Sequence, residues 1–197
     1  MNMSKLYFKY GVMGSSKTAE ALMCRFNYIQ KGFNVLLLKP NIDNRFENEK
    51  PQVISRIGIQ ADCVKFSSDA NLIDLYNAEN EKGKVDVIIV DECQFVTPTQ
   101  AEQLRLIAHD INVLCYGLLT NFKTELFEGS KRLVEIADSI QEIKSVCKCG
   151  QKANVNARIV NGKIALDGAE ILIGAEEHYE SMCYWCYQDR LKKDQNN

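Results

Sequence analysis

Residues 6–18 read LYFKYGVMGSSKT, and this stretch is the strongest indication of the fold class. It begins with an apolar run that predicts a strand, and the helix-favouring residues after Thr18 predict a helix. A glycine-opened loop between a strand and a helix is typical of phosphate-binding loops, because backbone N–H groups and the helix start attract phosphate oxygens. The stretch therefore predicts an α/β protein that binds a nucleotide. The alternative is a chance Gly-x-x-Gly turn before a helix.

Every residue of this loop is predicted to contact phosphate. The loop comprises Gly11, Val12, Met13, Gly14, Ser15, Ser16, Lys17 and Thr18. In such loops the lysine reaches the β- and γ-phosphates and the hydroxyl residue holds Mg²⁺, which assigns these roles to Lys17 and Thr18. The pattern usually has glycine where this chain has Ser16, and serine is strained if that position requires a positive φ angle.

A second motif consists of Asp91 and Glu92, which end the apolar run over residues 85–90. A short β-branched run of this kind is typical of a strand buried on both faces. Carboxylates at the carboxyl end of a parallel strand lie where open α/β sheets bind ligands. Asp91 is therefore predicted to support Mg²⁺, and Glu92 to act as a general base. Alternatively, the pair caps the helix near Pro98 or begins a polar turn.

Strand-like and helix-like runs alternate along most of the chain, which predicts an α/β fold with a mainly parallel sheet and helices on both faces. Thr97 and Pro98 are predicted to open one helix, and Asp69 to cap another. The predicted strands cover residues 7–10, 34–39, 85–90 and 112–116, with short β-like pieces at 52–57 and 62–66. Turn signals such as Asn161-Gly162 then replace the helices. We expect a core domain over residues 1–143 and a small unit over residues 144–197.

The composition excludes several classes of protein. The 197 residues carry a formal net charge of −2, whereas binding to nucleic acid requires clustered Lys and Arg. No stretch is long and apolar enough to span a bilayer, and the first residues lack the apolar core of a signal peptide. We therefore expect a cytoplasmic protein without membrane or nucleic-acid partners, whose cysteines are thiols or metal ligands.

Two close pairs of cysteines mark the small unit: Cys147 with Cys149, and Cys183 with Cys186. Paired thiolates from two turns form a tetrahedral Zn²⁺ site, and a closed four-thiolate site is structural rather than catalytic. The alternatives are unrelated reduced thiols and a redox pair formed by Cys183 and Cys186.

The chain resembles the type II thymidine kinases, the family of bacterial and animal cytosolic thymidine kinases. The residues that carry the resemblance are the loop at 11–18, Asp43-Asn44-Arg45, Asp91-Glu92-Cys93-Gln94-Phe95, Tyr116-Gly117-Leu118, Phe122, Leu126-Phe127-Glu128-Gly129-Ser130, Cys147-Lys148-Cys149-Gly150, Ile173-Gly174 and Tyr179-Glu180-Ser181-Met182-Cys183. The resemblance implies a RecA-like P-loop core and a small zinc-binding domain that carries a loop, the lasso, over the nucleoside. The family usually has Ser-Gly-Lys where this chain has Ser15-Ser16-Lys17.

The resemblance also implies a reaction, in which Glu92 deprotonates the 5′-hydroxyl of thymidine for attack on the γ-phosphate of Mg-ATP. Arg45, Asp91 and Gln94 are expected beside the phosphates. The residues expected around the nucleoside are Met13, Phe95, Phe122, Phe127 and Tyr179, together with Glu170, Ile171, Leu172, Ile173 and Gly174 of the lasso. The family precedent is a homotetramer.

Two other interpretations stay open from the sequence. One is a P-loop ATPase or nucleic-acid-associated module that uses the zinc unit as a binding surface. The other is a degenerate, non-catalytic relative, an interpretation motivated by Ser16.

Overall fold

A six-stranded parallel sheet forms the core of the protein, which is represented by a computed structural model describing residues 4–41, 50–169 and 178–195. In chain order the elements are β1 (Leu6–Tyr10), α1 (Lys17–Gln30), β2 (Val35–Pro40), β3 (Gln52–Ile54), β4 (Gln60–Asp62), β5 (Val64–Phe66), α2 (Leu72–Lys82), β6 (Val87–Val90), a 3₁₀ turn (Cys93–Phe95), α3 (Pro98–Ile107), β7 (Asn112–Gly117), α4 (Glu128–Ile136), β8 (Ser139–Glu142), β9 (Ser145–Val146), β10 (Lys152–Ala153), β11 (Val155–Val160), β12 (Lys163–Ile164), β13 (His178–Met182) and α5 (Tyr184–Gln195).

The strand order in the core sheet is β5-β2-β6-β7-β1-β8, and every neighbouring pair is parallel. The predicted fold class is therefore confirmed. The apolar residues of β6 are buried all along the strand because side chains cover both faces of the sheet. Only β7 separates β1 from β6. The loop after β1 and the acids after β6 consequently lie close together at the carboxyl ends of the parallel strands.

The helix starts follow capping chemistry. Thr97 and Gln100 form a complete capping box at the start of α3, with Pro98 in the first turn, as predicted. The cap predicted at Asp69 was wrong. The side chain of Asn71 accepts a hydrogen bond from the N–H of Ile73 instead, and α2 begins at Leu72. In the described part of the chain, no helix is both long and apolar enough to cross a membrane.

The small unit contains the β9–β10 hairpin, a three-stranded antiparallel sheet in the order β12-β11-β13, and α5. Asn161 and Gly162 have φ angles of 49° and 79° and form the two-residue turn between β11 and β12 that the sequence predicts. Core strand β8 ends at Glu142 and β9 begins at Ser145. The domain boundary between residues 143 and 144 stays a prediction.

Helix α4 lies unusually close to the 3₁₀ turn. A β-carbon on Gly129 would lie 2.3 Å from the carbonyl oxygen of Val96 and 3.0 Å from that of Gln94. Only glycine permits this approach without movement of the backbone. The contact fixes the 3₁₀ turn, which follows Asp91 and Glu92 directly.

We predict that Gly129→Ala destabilises the protein by about 1–3 kcal/mol, because the added methyl group must displace backbone rather than a flexible side chain. Gly83→Ala is the matched control. Gly83 has an extended φ of 175°, and nothing lies within 4 Å of its would-be β-carbon. The control should change stability by less than about 0.5 kcal/mol. Urea unfolding measures both variants, and equal midpoints for Gly129→Ala and wild type would contradict the packing argument.

Candidate functional site

The phosphate loop connects β1 to α1 and contains two residues with left-handed backbone conformations. Gly14 has a φ of 75° and Ser16 a φ of 66°. Ser16 is also the N-cap of α1, although its side chain forms no capping hydrogen bond. The positive φ at Ser16 is the condition under which the sequence predicts strain at this position.

Lys17, Thr18 and Asp91 meet behind this loop. The ammonium of Lys17 donates to the carbonyl oxygen of Val12 at 2.9 Å, and the Thr18 hydroxyl lies 3.3 Å from both carboxylate oxygens of Asp91. Burial lowers the pKa of Lys17, and the charges of Glu92 and Asp91 partly oppose that shift. Burial and the adjacent negative charge of Glu92 raise the pKa of Asp91 to about 6. A buried carboxylate beside a hydroxyl is a donor set that suits Mg²⁺.

Glu92 is held in place by Gln94. The Gln94 side-chain amide donates to a carboxylate oxygen of Glu92 at 2.6 Å and accepts from the N–H of Leu118 at 3.0 Å. Glu92 itself has a φ of 54°, so its backbone is strained as well. Gln94 is 3% exposed, and its side chain is engaged by these two partners. Its predicted contact with ATP stays a prediction.

One cavity of about 380 Å³ brings the loop and the acid together. Its lining includes Met13, Lys17, Thr18 and Glu92. Arg56, on the turn between β3 and β4, borders the same cavity. The sequence did not single out Arg56, because an isolated arginine in a short polar turn matches no motif.

The predicted nucleoside residues occupy different places. Met13 borders the cavity, whereas Phe122 and Phe127 are 2% and 5% exposed and do not line it. Phe95 packs edge-on against Phe127, with ring centroids 5.6 Å apart. Tyr179 does not line the cavity either. Arg45 and the segment from Glu170 to Gly174, like Asp43, lie outside the described residues.

A buried arginine connects these aromatic residues. The guanidinium of Arg158, which is 1% exposed, lies 3.7 Å from the centre of the Phe122 ring. It donates to the Tyr179 hydroxyl and to the carbonyl oxygen of Ala169, both at 2.8 Å. Arg158 therefore ties β11 to β13 and to the residue just before the predicted lasso.

The small unit also holds the phosphate loop. The N–H of Met13 donates to the side chain of Asn156 at 2.7 Å, and the hydroxyl of Ser181 donates to the carbonyl oxygen of Met13. The Asn156 amide donates in turn to the carbonyl oxygen of Thr120 at 3.2 Å. The side chain of Val12 packs among the apolar residues of the small unit. Sequence reasoning missed these contacts because the partners are far apart along the chain.

The four predicted cysteines form a cluster. The sulfur atoms of Cys147, Cys149, Cys183 and Cys186 all lie within 4.8 Å of one another, and those of Cys149 and Cys183 are 3.6 Å apart. A tetrahedral Zn²⁺ with bonds of about 2.3 Å requires sulfur atoms about 3.8 Å apart. Backbone N–H groups of Cys149 and Cys183 lower the pKa of Cys147 to about 6, which favours the thiolate that binds metal. The cluster could hold one metal ion, and its geometry fits zinc.

Comparisons with known proteins agree on one family. A sequence profile described as thymidine kinase matches residues 4–187. The thymidine kinase of Shewanella oneidensis is 42% identical over 184 residues, which cover 92% of this chain and 95% of that protein. The thymidine kinase of Rhodopirellula baltica is 41% identical over 192 residues, which cover 96% of this chain and 90% of that protein. The thymidine kinase of Haemophilus influenzae is 41% identical over 191 residues, which cover 95% of this chain and 98% of that protein.

We predict that Ser16→Gly stabilises the protein by about 1 kcal/mol, because glycine adopts a positive φ without the strain that a β-carbon causes. Gly14→Ala places a β-carbon at the other left-handed position and should destabilise by a similar amount. Thermal unfolding without nucleotide measures both variants. A lower melting temperature for Ser16→Gly would contradict this prediction. It would show that contacts of the serine side chain stabilise the fold by more than the strained backbone destabilises it.

Proposed function

The chain belongs to the thymidine kinase family, and from this premise we propose that it transfers the γ-phosphoryl group of Mg-ATP to the 5′-hydroxyl of thymidine. The products are thymidine monophosphate and ADP, and deoxyuridine is a second candidate acceptor. The observation that carries the proposal is the position of Glu92, fixed by Gln94 at the cavity that Lys17 and Thr18 also line. Membership of this family favours a nucleoside kinase over an ATPase or nucleic-acid-associated module.

In the proposed complex the triphosphate lies along the loop formed by Gly11 to Thr18. The ammonium of Lys17 exchanges its bond to Val12 for one to the β- and γ-phosphates. Thr18 and Asp91 hold Mg²⁺, which supplies positive charge against the phosphate oxygens. Asp91 suits this role because its carboxylate is buried and lies 3.3 Å from the Thr18 hydroxyl. Arg45 and Gln94 complete the proposed phosphate contacts.

Glu92 is the proposed general base. Its carboxylate accepts the proton of the 5′-hydroxyl while the hydroxyl oxygen bonds to the γ-phosphorus, and the bond from that phosphorus to the oxygen of ADP breaks. The hydrogen bond from Gln94 limits the carboxylate to one orientation. Such alignment matters because phosphoryl transfer depends on positioning more than on covalent chemistry by the protein.

The base of the nucleoside is proposed to lie between Met13 and the aromatic residues. These are Phe95, Phe122, Phe127 and Tyr179, and the residues from Glu170 to Gly174 are proposed to close over the base. The support is the anchoring of this region by Arg158, which contacts Phe122, Tyr179 and Ala169. Because Phe122 and Phe127 are buried, they act as walls behind the pocket rather than as its surface.

The metal of the small unit is proposed to be structural Zn²⁺, bound by Cys147, Cys149, Cys183 and Cys186. The close spacing of the four sulfur atoms supports this assignment. We predict about one zinc ion per chain and its loss in Cys147→Ser, because three thiolates hold the ion less tightly than four. Cys24→Ser, a change on α1 outside the cluster, is the control and should retain the ion. Metal analysis of the purified proteins measures both, and a zinc-free wild type would refute the assignment.

We further propose that the protein is a cytoplasmic homotetramer. The support for assembly is an apolar face on α1, where Met23, Phe26 and Ile29 are 52%, 59% and 40% exposed. Neighbouring exposed apolar side chains of this kind mark interaction surfaces. Sedimentation at working concentration tests the subunit count, and any mass other than that of four 22.4 kDa chains would refute the tetramer.

We predict that Glu92→Gln lowers kcat about 10²–10⁴-fold, because the amide cannot accept the proton. The variant should fold and bind ATP normally. Glu81→Gln, which removes an exposed acid from α2, should behave as wild type. The assay incubates each protein with Mg-ATP and a panel of nucleosides and detects the monophosphates formed.

Two results would contradict these assignments. A wild-type protein that phosphorylates no nucleoside refutes the proposed function and favours a degenerate relative. A Glu92→Gln variant with a near-normal rate leaves the function intact but removes Glu92 as the base.

A further inference from the structure

The turn between β3 and β4 places one arginine at the phosphate loop. The turn is closed by hydrogen bonds from the N–H of Gly58 to the carbonyl oxygen of Ser55 at 3.0 Å and from the N–H of Ser55 to that of Ile59 at 2.9 Å. The Ser55 hydroxyl adds a third bond to the carbonyl oxygen of Ile59 at 3.0 Å. Arg56 is thus carried on a well-defined turn.

The guanidinium of Arg56 faces the loop. Its Nη1 atom lies 3.5 Å from the point that a β-carbon on Gly14 would occupy. Arg56 lines the same cavity as Lys17, Thr18 and Glu92. Within residues 4–41, 50–169 and 178–195, Arg56 forms no ion pair, whereas Arg105, Arg132 and Arg190 each pair with a carboxylate.

Lys17 and Arg56 present two positive charges to one space. Burial is the main cause of the lowered pKa of Lys17, the charges of Glu92 and Asp91 oppose the shift, and the positive charge of Arg56 adds a smaller lowering. Two positive charges that line one cavity repel each other, and an anion bound between them relieves this repulsion. An anion that bridges them gains from both charges, and a guanidinium binds phosphate oxygens in a bidentate manner.

The geometry points to Arg56 as a further binding residue for the phosphate chain of the nucleoside triphosphate, in addition to Lys17. This inference rests on the proposed function, because it assigns Arg56 to the ATP of that reaction. Arg56 then also offsets the negative charge on the phosphoryl group during transfer. Ile54 and Ile57 border the cavity beside it and are 60% and 70% exposed. A bound nucleotide covers part of this apolar surface.

The test compares Arg56→Gln, Arg56→Lys and the control Arg132→Gln. Arg132 pairs with Glu102 and Glu135 on the outside of α4, so its replacement removes the same charge away from the cavity. Calorimetry measures the binding of ATP and of inorganic triphosphate in the presence of Mg²⁺. Steady-state kinetics give KM for ATP and for thymidine separately. Circular dichroism and urea unfolding establish that each variant is folded.

We expect Arg56→Gln to weaken the binding of inorganic triphosphate about 10–100-fold, because a charge-assisted pair of hydrogen bonds is lost. KM for ATP should rise while KM for thymidine stays constant, which a general loss of structure would not produce. Arg56→Lys should bind with intermediate affinity because it keeps the charge without the bidentate geometry.

The outcomes separate this inference from the proposed function. If Arg56→Gln binds inorganic triphosphate as wild type does, the inference is overturned even when the enzyme is active. If wild type phosphorylates no nucleoside but its triphosphate binding still depends on Arg56, the proposed function fails and the phosphate-binding role stands. Equal losses in Arg56→Gln and Arg132→Gln would indicate net charge rather than a specific contact, and would also overturn it.

Discussion

The phosphate loop depends on its attachment to the small unit. Asn156 and Ser181 bind the two polar backbone groups of Met13, so both its N–H and its carbonyl oxygen are committed to side chains of the antiparallel sheet. The side chain of Val12 is buried among the apolar residues of the same unit. Ser181 lies two residues before Cys183, a member of the metal-binding cluster. The position of the loop therefore depends on the order of the small unit, and a metal ion bound by the four cysteines would help to hold the loop in place.

Backbone strain occurs on both sides of the cavity. Ser16 and Glu92 both adopt positive φ angles, and each conformation costs about 1–2 kcal/mol relative to an unstrained residue. The surrounding contacts enforce these conformations. The ammonium of Lys17 binds the carbonyl oxygen of Val12, and the side chain of Gln94 bridges Glu92 to Leu118. The strain at these positions lowers the stability of the folded protein. In return, the phosphate loop and the Glu92 carboxylate are already fixed relative to each other before a ligand binds, so less conformational entropy is lost on binding.

Local sequence patterns predicted the strands and the loop around the candidate site, and long-range contacts explain what these patterns missed. Strands β1, β2, β6 and β7 were recognisable because their apolar runs are buried in the sheet. Strand β8, with the sequence SIQE, was missed because it lies at the sheet edge and is mostly polar and half-exposed. The cysteine cluster followed from spacing alone. The hydrogen bond from Met13 to Asn156 joins residues 143 positions apart in the chain. A local sequence pattern around either residue cannot predict such a distant partner. The same holds for Arg56, which reaches the cavity only through the placement of a short hairpin.

The two consecutive acids show how backbone conformation separates chemical roles. Side chains of neighbouring residues at the end of a strand point in opposite directions. The φ of 54° at Glu92 then turns the chain into the 3₁₀ turn, where Gln94 can reach the Glu92 carboxylate. Asp91 stays buried against Thr18, where burial and the charge of Glu92 raise its pKa and favour a bound cation. In the proposed reaction one acid holds the metal ion and the other accepts the proton, although the two residues are adjacent. A backbone without the left-handed turn at Glu92 would lack the bond to Gln94, and this separation of roles would be lost.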